Sequence, residues 1–286
     1  MIPAAFDYVA PRTLPEAVAE LVNRGQEAKV LAGGHSLIPL MKLRLSTPSF
    51  LVDIGRIQNL SYIREEDGHV AIGSLTTHHD IQLSELIRRK LPILSSAASQ
   101  IGDPQVRNRG TIGGAAAHAD PFGDFPTCLL VLDAEFIVAG QRGERKIAAR
   151  DFFVDTFTSA LEPNEIVREI RIATPPDGSQ GTYLKFSRRS QDWAIVAVAA
   201  QVTVSGHEVK NVAIGLTGMG STPLRASAVE QALRGKSGHD DEIRAAAEKA
   251  ADGTDPQQDL NGSPDYRRHL ARVLTRRALE EVTAHH

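Results

Sequence analysis

Two short glycine-bearing stretches constrain this chain more than any other feature: "AGGHS" at Ala32–Ser36 and "TIGG" at Thr111–Gly114, about 80 positions apart. Glycine removes the side chain and opens positive φ, so adjacent glycines let backbone approach a neighbour closely and let amide N–H groups converge on an anion. Each stretch follows a strand-like or helix-like run, and each is followed by a hydroxyl or carboxylate within a few positions. Two such loops suggest one ligand held from two sides, and a pyrophosphate suits donors of this kind. The G-x-G-x-x-G fingerprint is absent at Gly33–Gly34, as is the lysine-bearing phosphate loop, which disfavours a nicotinamide-type doubly wound site.

The pattern around the loops predicts a mixed α+β chain. Thr13–Arg24 reads as an amphipathic helix with a Thr13-x-x-Glu16 capping box and Gly25 as its stop. Lys29–Ala32 reads as a short strand, Leu37–Leu45 as a helix interrupted by Pro39, and "FLVDIG" and "HVAIGS" as further strands. Helical patterns follow at Asp80–Lys90 and Pro92–Ile101. Gly102–Asp124 reads as a long Gly/Ala-rich loop of the kind that is usually functional. Strands resume at "AEFIVAG" and "EIVREIRI". The Pro/Gly-dense segment "TPPDGSQG", residues 174–181, marks the expected domain boundary. Three more strand-like runs follow, "TYLKFS", "AIVAVAAQVTV" and "VKNVAIGLTG", then helical patterns at 223–235, 240–251 and 264–284.

Composition narrows the function classes. A net charge of −3 offers no basic field for nucleic acid or an anionic membrane. No segment reaches the roughly 20 apolar residues of a membrane span, and the start "MIPAAFDYVAPRT" lacks signal-peptide character, so the expectation is a cytoplasmic protein. The single cysteine, Cys128 in "TCLLVL", excludes intrachain disulfides, a Cys-ligated iron–sulfur cluster and a structural Cys zinc site. "THHD" at Thr77–Asp80 reads as a capped helix start rather than a metal site, and His118, Asp120 and Asp124 in "HADPFGD" fit a cofactor-lining loop better than a ligand set. His35 and Ser36 are adjacent but lack an orienting group, so no self-contained catalytic dyad is evident. Arg268, Arg272 and Arg276 form one basic helix face, solvated or docked on a partner.

At this point the motifs resemble a family. "AGGHS" and "TIGG", in this order and separation, are similar to the two FAD pyrophosphate loops of the flavoprotein (medium) subunits of molybdenum hydroxylases, the family of aerobic carbon monoxide dehydrogenase and xanthine dehydrogenase. The resemblance extends over nearly the entire chain, through "FDYVAP", "GDPQVRNRGTIGG", "HADPFGDFP" and "KFSRRSQDWA". It implies a two-part FAD-binding domain of the vanillyl-alcohol-oxidase-like (PCMH) type over residues 1–176, with parts at about 1–57 and 58–176, and a C-terminal α+β domain over 177–286. It also implies that Lys29, Ala32, Gly33, Gly34, His35 and Ser36 wrap one side of the diphosphate and adenosine. Thr111, Ile112, Gly113, Gly114, Ala115 and His118 would hold the other side, Asp124 would help bind the cofactor, and Trp193 would lie near the isoalloxazine ring. Many relatives have Asn where this chain has Ala115. No catalytic acid, base or nucleophile is implied in this chain.

The resemblance further implies partners, a large molybdopterin-binding subunit and a small [2Fe-2S] subunit, assembled as a dimer of heterotrimers. Electrons would enter from the iron–sulfur clusters and leave for a quinone, NAD or oxygen. Two other readings compete: a free-standing flavin oxidoreductase of the vanillyl-alcohol oxidase fold, and a non-enzymatic nucleotide-binding or scaffolding protein.

Overall fold

Strand Ala28–Leu31, the first glycine stretch, helix Leu37–Lys42 and strand Phe50–Asp53 form a parallel crossover, and Asp7–Val9 completes a three-stranded parallel sheet with Phe50–Asp53 at its centre. This computed structural model describes residues 2–206 and 208–284. The crossover puts Ala32–Ser36 at the carboxyl end of a parallel strand, where ligands bind in open α/β sheets. Helix Leu14–Arg24 forms as its sequence predicts: the Thr13 hydroxyl accepts from the Glu16 amide at 3.4 Å, the Glu16 carboxylate accepts from the Thr13 amide at 3.3 Å, and Ala17, Val18 and Leu21 are buried.

A second sheet is antiparallel, in the order Ile63–Glu66, His69–Gly73, Ile166–Ala173, Glu135–Gly140, Gly143–Ala148. A third contains Ser179–Phe186, Val196–Ser205, Glu208–Thr217 and Leu224–Arg225, also antiparallel. Strand Val196–Ser205 explains the apolar run Val196–Ala200 in the sequence. Its Val196, Val198, Ala200 and Val202 join the core beneath helices Ser227–Leu233, Asp240–Ala247 and Pro264–Thr283. Its Ala197 and Ala199 face the opposite way, into the core shared with helices Pro92–Ser99 and Asp124–Val131. Alternate side chains point to opposite faces, so a strand covered on both sides must be apolar throughout. Helix Asp124–Val131 is buried along its whole length because it lies between the third sheet and helices Pro92–Ser99 and Ile112–His118.

Several boundaries differ from the sequence expectation, among them the helix expected over Leu37–Leu45, which ends at Lys42. Residues 102–124 are not one loop: helices Pro104–Arg109 and Ile112–His118 lie within it. The Asp103 carboxylate caps the first at the Val106 amide, 2.9 Å, with Pro104 preset for a first turn, and the Thr111 hydroxyl caps the second. The helix expected at Asp80–Lys90 breaks at Ser84, whose extended backbone ends His78–Leu83 while its hydroxyl caps Glu85–Lys90. The helix expected from residue 223 starts at Ser227, since Leu224–Arg225 pairs as an edge strand. The third sheet begins at Ser179, which leaves 174–178 as the link. Among the described residues, no helix is long and apolar enough to cross a membrane, and no three His, Cys, Asp or Glu side chains gather as a metal-holding group.

Candidate functional site

The two glycine stretches touch. A Cβ on Gly33 would lie 2.1 Å from the Arg109 carbonyl oxygen and 3.0 Å from the Gly110 Cα, so this glycine exists because one loop's backbone rests on the other's. Gly34 is required differently, by its φ of +79°, which turns the chain into helix Leu37–Lys42. Among the described residues, the amides of Gly33, Gly34, His35 and Ser36 donate to no protein acceptor, and the Ser36 hydroxyl makes no capping bond. His35 and Ser36 are exposed and Ala32–Gly34 half-buried, at the end of the strand that carries Lys29, itself exposed. Four uncommitted donors in succession suit a diphosphate.

The second loop spends its donors internally. The Gly113 amide donates to the Ser74 carbonyl at 2.9 Å, Ile112 to Thr76 at 3.1 Å, Gly114 to the Thr111 hydroxyl at 3.2 Å, and Ala115 to Thr111 at 2.9 Å. Gly113 is bare because a Cβ would lie 2.5 Å from that of Ser74, and Gly110 because His78 stands 2.6 Å from where its Cβ would be. The second loop is therefore a rigid wall clamped to residues 74–78, whereas the first carries the free donors. Reading both loops as matching sets of amides missed this division, because the acceptors for the second lie some 40 residues away in sequence.

His78 is held neutral in this wall. Burial, with the nearby charges of His35 and Arg107, pushes its pKa down to about 3. His118 ends helix Ile112–His118 and packs on Phe157 with ring centroids 5.0 Å apart, while Ala115, half-buried, packs on the main apolar core.

Asp124 lies at the first turn of its helix, 8% exposed, with both oxygens engaged: the Tyr183 hydroxyl donates at 2.7 Å, and the Lys185 Nζ lies 3.1 and 3.2 Å from Oδ1 and Oδ2. Burial raises its pKa against the opposing pull of Lys185 and Tyr183. Lys185 also lines a cavity of about 530 Å³ with Arg107, Gln100, Ser187, Ser190 and Gln191. Trp193, 69% exposed, follows on the same connection between strands Ser179–Phe186 and Val196–Ser205. Lys185 and Arg107 were not singled out from the sequence. The available signal was a lysine in the middle of the apolar strand "TYLKFS", since a buried lysine needs a partner.

Residues 4–175 match the family model described as the FAD binding domain in molybdopterin dehydrogenase, and residues 181–282 match that of the CO dehydrogenase flavoprotein C-terminal domain. The chain belongs to the flavoprotein subunits of molybdenum hydroxylases. It is 42% identical to the carbon monoxide dehydrogenase medium chain of Hydrogenophaga pseudoflava, covering 99% of each, and 38% identical to the glyceraldehyde dehydrogenase medium chain of Sulfolobus acidocaldarius, covering 99% of this chain and 100% of the other. The crystal structure of quinoline 2-oxidoreductase from Pseudomonas putida 86 superposes with a TM-score of 0.95 at 31% identity, covering 100% of this chain and 99% of that one. This flavoprotein subunit is thus an oxidoreductase component with FAD as its cofactor, in the fold expected from the motifs. The first loop's free amides fit the group.

Proposed function

We propose that this flavoprotein subunit takes electrons from a small [2Fe-2S] subunit, itself reduced by a large molybdopterin-binding subunit, and delivers them to an external acceptor such as a quinone, NAD or oxygen, within a cytoplasmic dimer of heterotrimers. Bound FAD supplies the redox chemistry, accepting and releasing the electrons. The chain's own residues bind and orient it. Gly33, Gly34, His35 and Ser36 donate to the diphosphate from one side, with Ala32 and Lys29 leading into the turn. Thr111, Ile112, Gly113, Gly114 and Ala115 form the opposing wall, extended by His118. Asp124 helps bind the cofactor and, locked by Tyr183 and Lys185, ties residues 1–176, in parts 1–57 and 58–176, to residues 177–286. Trp193 shields the ring system.

The observation that carries this reading is the row of four amides with no protein acceptor among the described residues, on a loop seated directly against the second glycine loop. Co-expression with the two companion subunits tests it. The expected result is a stable complex in which an organic substrate bleaches the flavin, while the isolated chain turns over that substrate slowly at most. Fast oxidation of a small organic substrate by the isolated chain would favour a free-standing flavin oxidoreductase instead.

A further inference from the structure

One buried charge has no part in the loops. Arg267, in the first turn of helix Pro264–Thr283, is 1% exposed and is the largest fully buried side chain among the described residues. Its guanidinium donates to the Ile195 carbonyl, lies 2.7 Å from the Asp259 carboxylate, and sits 5.2 Å over the ring centroid of Phe122. Each partner anchors a different segment. Ile195 closes the connection that carries Trp193, since its amide donates to the Phe186 carbonyl at 2.7 Å. Phe122 belongs to the stretch between helix Ile112–His118 and Asp124, where the Pro121 carbonyl accepts from Gly218 at 3.0 Å. Asp259 organises the turn before the helix by accepting from the amides of Asn261 and Gly262 at 2.8 and 3.0 Å.

Burying a guanidinium costs desolvation energy that a well-packed apolar side chain would not incur, so stability alone is a weak reason for an arginine here. Its planar fork does what an apolar group or a lysine cannot: it fixes the direction of several contacts at once. We propose that Arg267 is a positioning residue for the flavin pocket, clamping the Trp193-bearing connection against the segment that follows the second glycine loop. The proposal rests on the reading that Trp193 lies beside the flavin.

Trp193 is the single tryptophan of the chain, so its emission reports on that connection alone. The experiment compares flavin-free full-length wild type, Arg267→Lys and Asp259→Asn by Trp193 fluorescence anisotropy, then by titration with FAD. Leu279→Ala, a fully buried site in the same helix, controls for lost stability. Both clamp variants are expected to lower the anisotropy and weaken FAD binding about tenfold, with Leu279→Ala changing neither. If Arg267→Lys does not fold, Asp259→Asn, on the exposed side of the clamp, carries the comparison. Wild-type anisotropy in the folded clamp variants, lowered anisotropy with unchanged FAD affinity, or the same changes in Leu279→Ala would each overturn the proposal. Failure of the wild type to bind FAD would instead sink the functional reading, and apoprotein anisotropy would still decide whether Arg267 holds the connection.

Discussion

Gly33→Ala probes the contact between the loops with the smallest possible change. The added methyl would meet the Arg109 carbonyl oxygen at 2.1 Å and its carbon at 2.8 Å, both backbone atoms with no rotamer to turn aside. Ordinary contact begins near 3.4 Å, so the loops must part by about 1.3 Å. Overpacking of this kind costs about 1–3 kcal/mol. If FAD is held between the two loops as proposed, that cost falls on binding, and at about 1.4 kcal/mol per decade the affinity should drop roughly 5- to 150-fold. The assay is equilibrium titration of flavin-free protein with FAD, paired with thermal unfolding. Gly68→Ala is the control: its φ of +77° makes a side chain strained, but nothing lies within 4 Å of the new methyl. It should lose about 1 kcal/mol of stability and no FAD affinity. Wild-type affinity in Gly33→Ala would refute the argument that the loops must touch for the cofactor to be held.

Three further outcomes follow from the same geometry. Gly34→Asp should abolish FAD binding while far-UV circular dichroism stays native: the side chain's nearest obstacle is the movable Ile38 Cδ1 at 2.7 Å, the φ of +79° adds local strain, and the new charge would face the proposed diphosphate. His78, with its folded pKa lowered to about 3 from 6.5, contributes stability that is present above pH 6.5 and lost as the pH falls towards 3. At about 1.4 kcal/mol per pH unit, wild type should lose roughly 3 kcal/mol more than His78→Gln between pH 6.5 and 4, measured by denaturant unfolding. Lys185→Met leaves the Asp124 carboxylate buried without its counter-charge, held only by the Tyr183 hydroxyl, and should cost about 3–5 kcal/mol, much of it recovered in the double variant with Asp124→Asn. Unfolding midpoints of the single and double variants decide that.

What could be read in advance was mostly local. The Thr13–Glu16 box and the Thr77–Asp80 start are decided within four residues, and both helices begin there. The glycine positions and their spacing pointed to the family, and the fold followed. The helices inside 102–124 were hidden because Gly110, Gly113 and Gly114 look like loop residues; they are bare for contacts with His78, Ser74 and Thr111 that only the folded chain makes. The Asp124–Lys185 pair spans 61 positions and has no local signature. The basic face at Arg268, Arg272 and Arg276 is satisfied nearby, by Asp265 at 3.0 Å, Glu248 at 3.7 Å and Glu280 at 3.3 Å, which favours the solvated face over a docking stripe.

If backbone donors hold FAD in this subunit without a covalent bond, denaturation must release the flavin intact. The most direct test is to saturate the purified chain with FAD, remove the excess, precipitate the protein with acid, and identify and count the flavin in the supernatant and the pellet. The expected result is FAD at about one per chain, all of it in the supernatant. Flavin retained in the pellet, equal retention of FMN offered in place of FAD, or no bound flavin at all would contradict it.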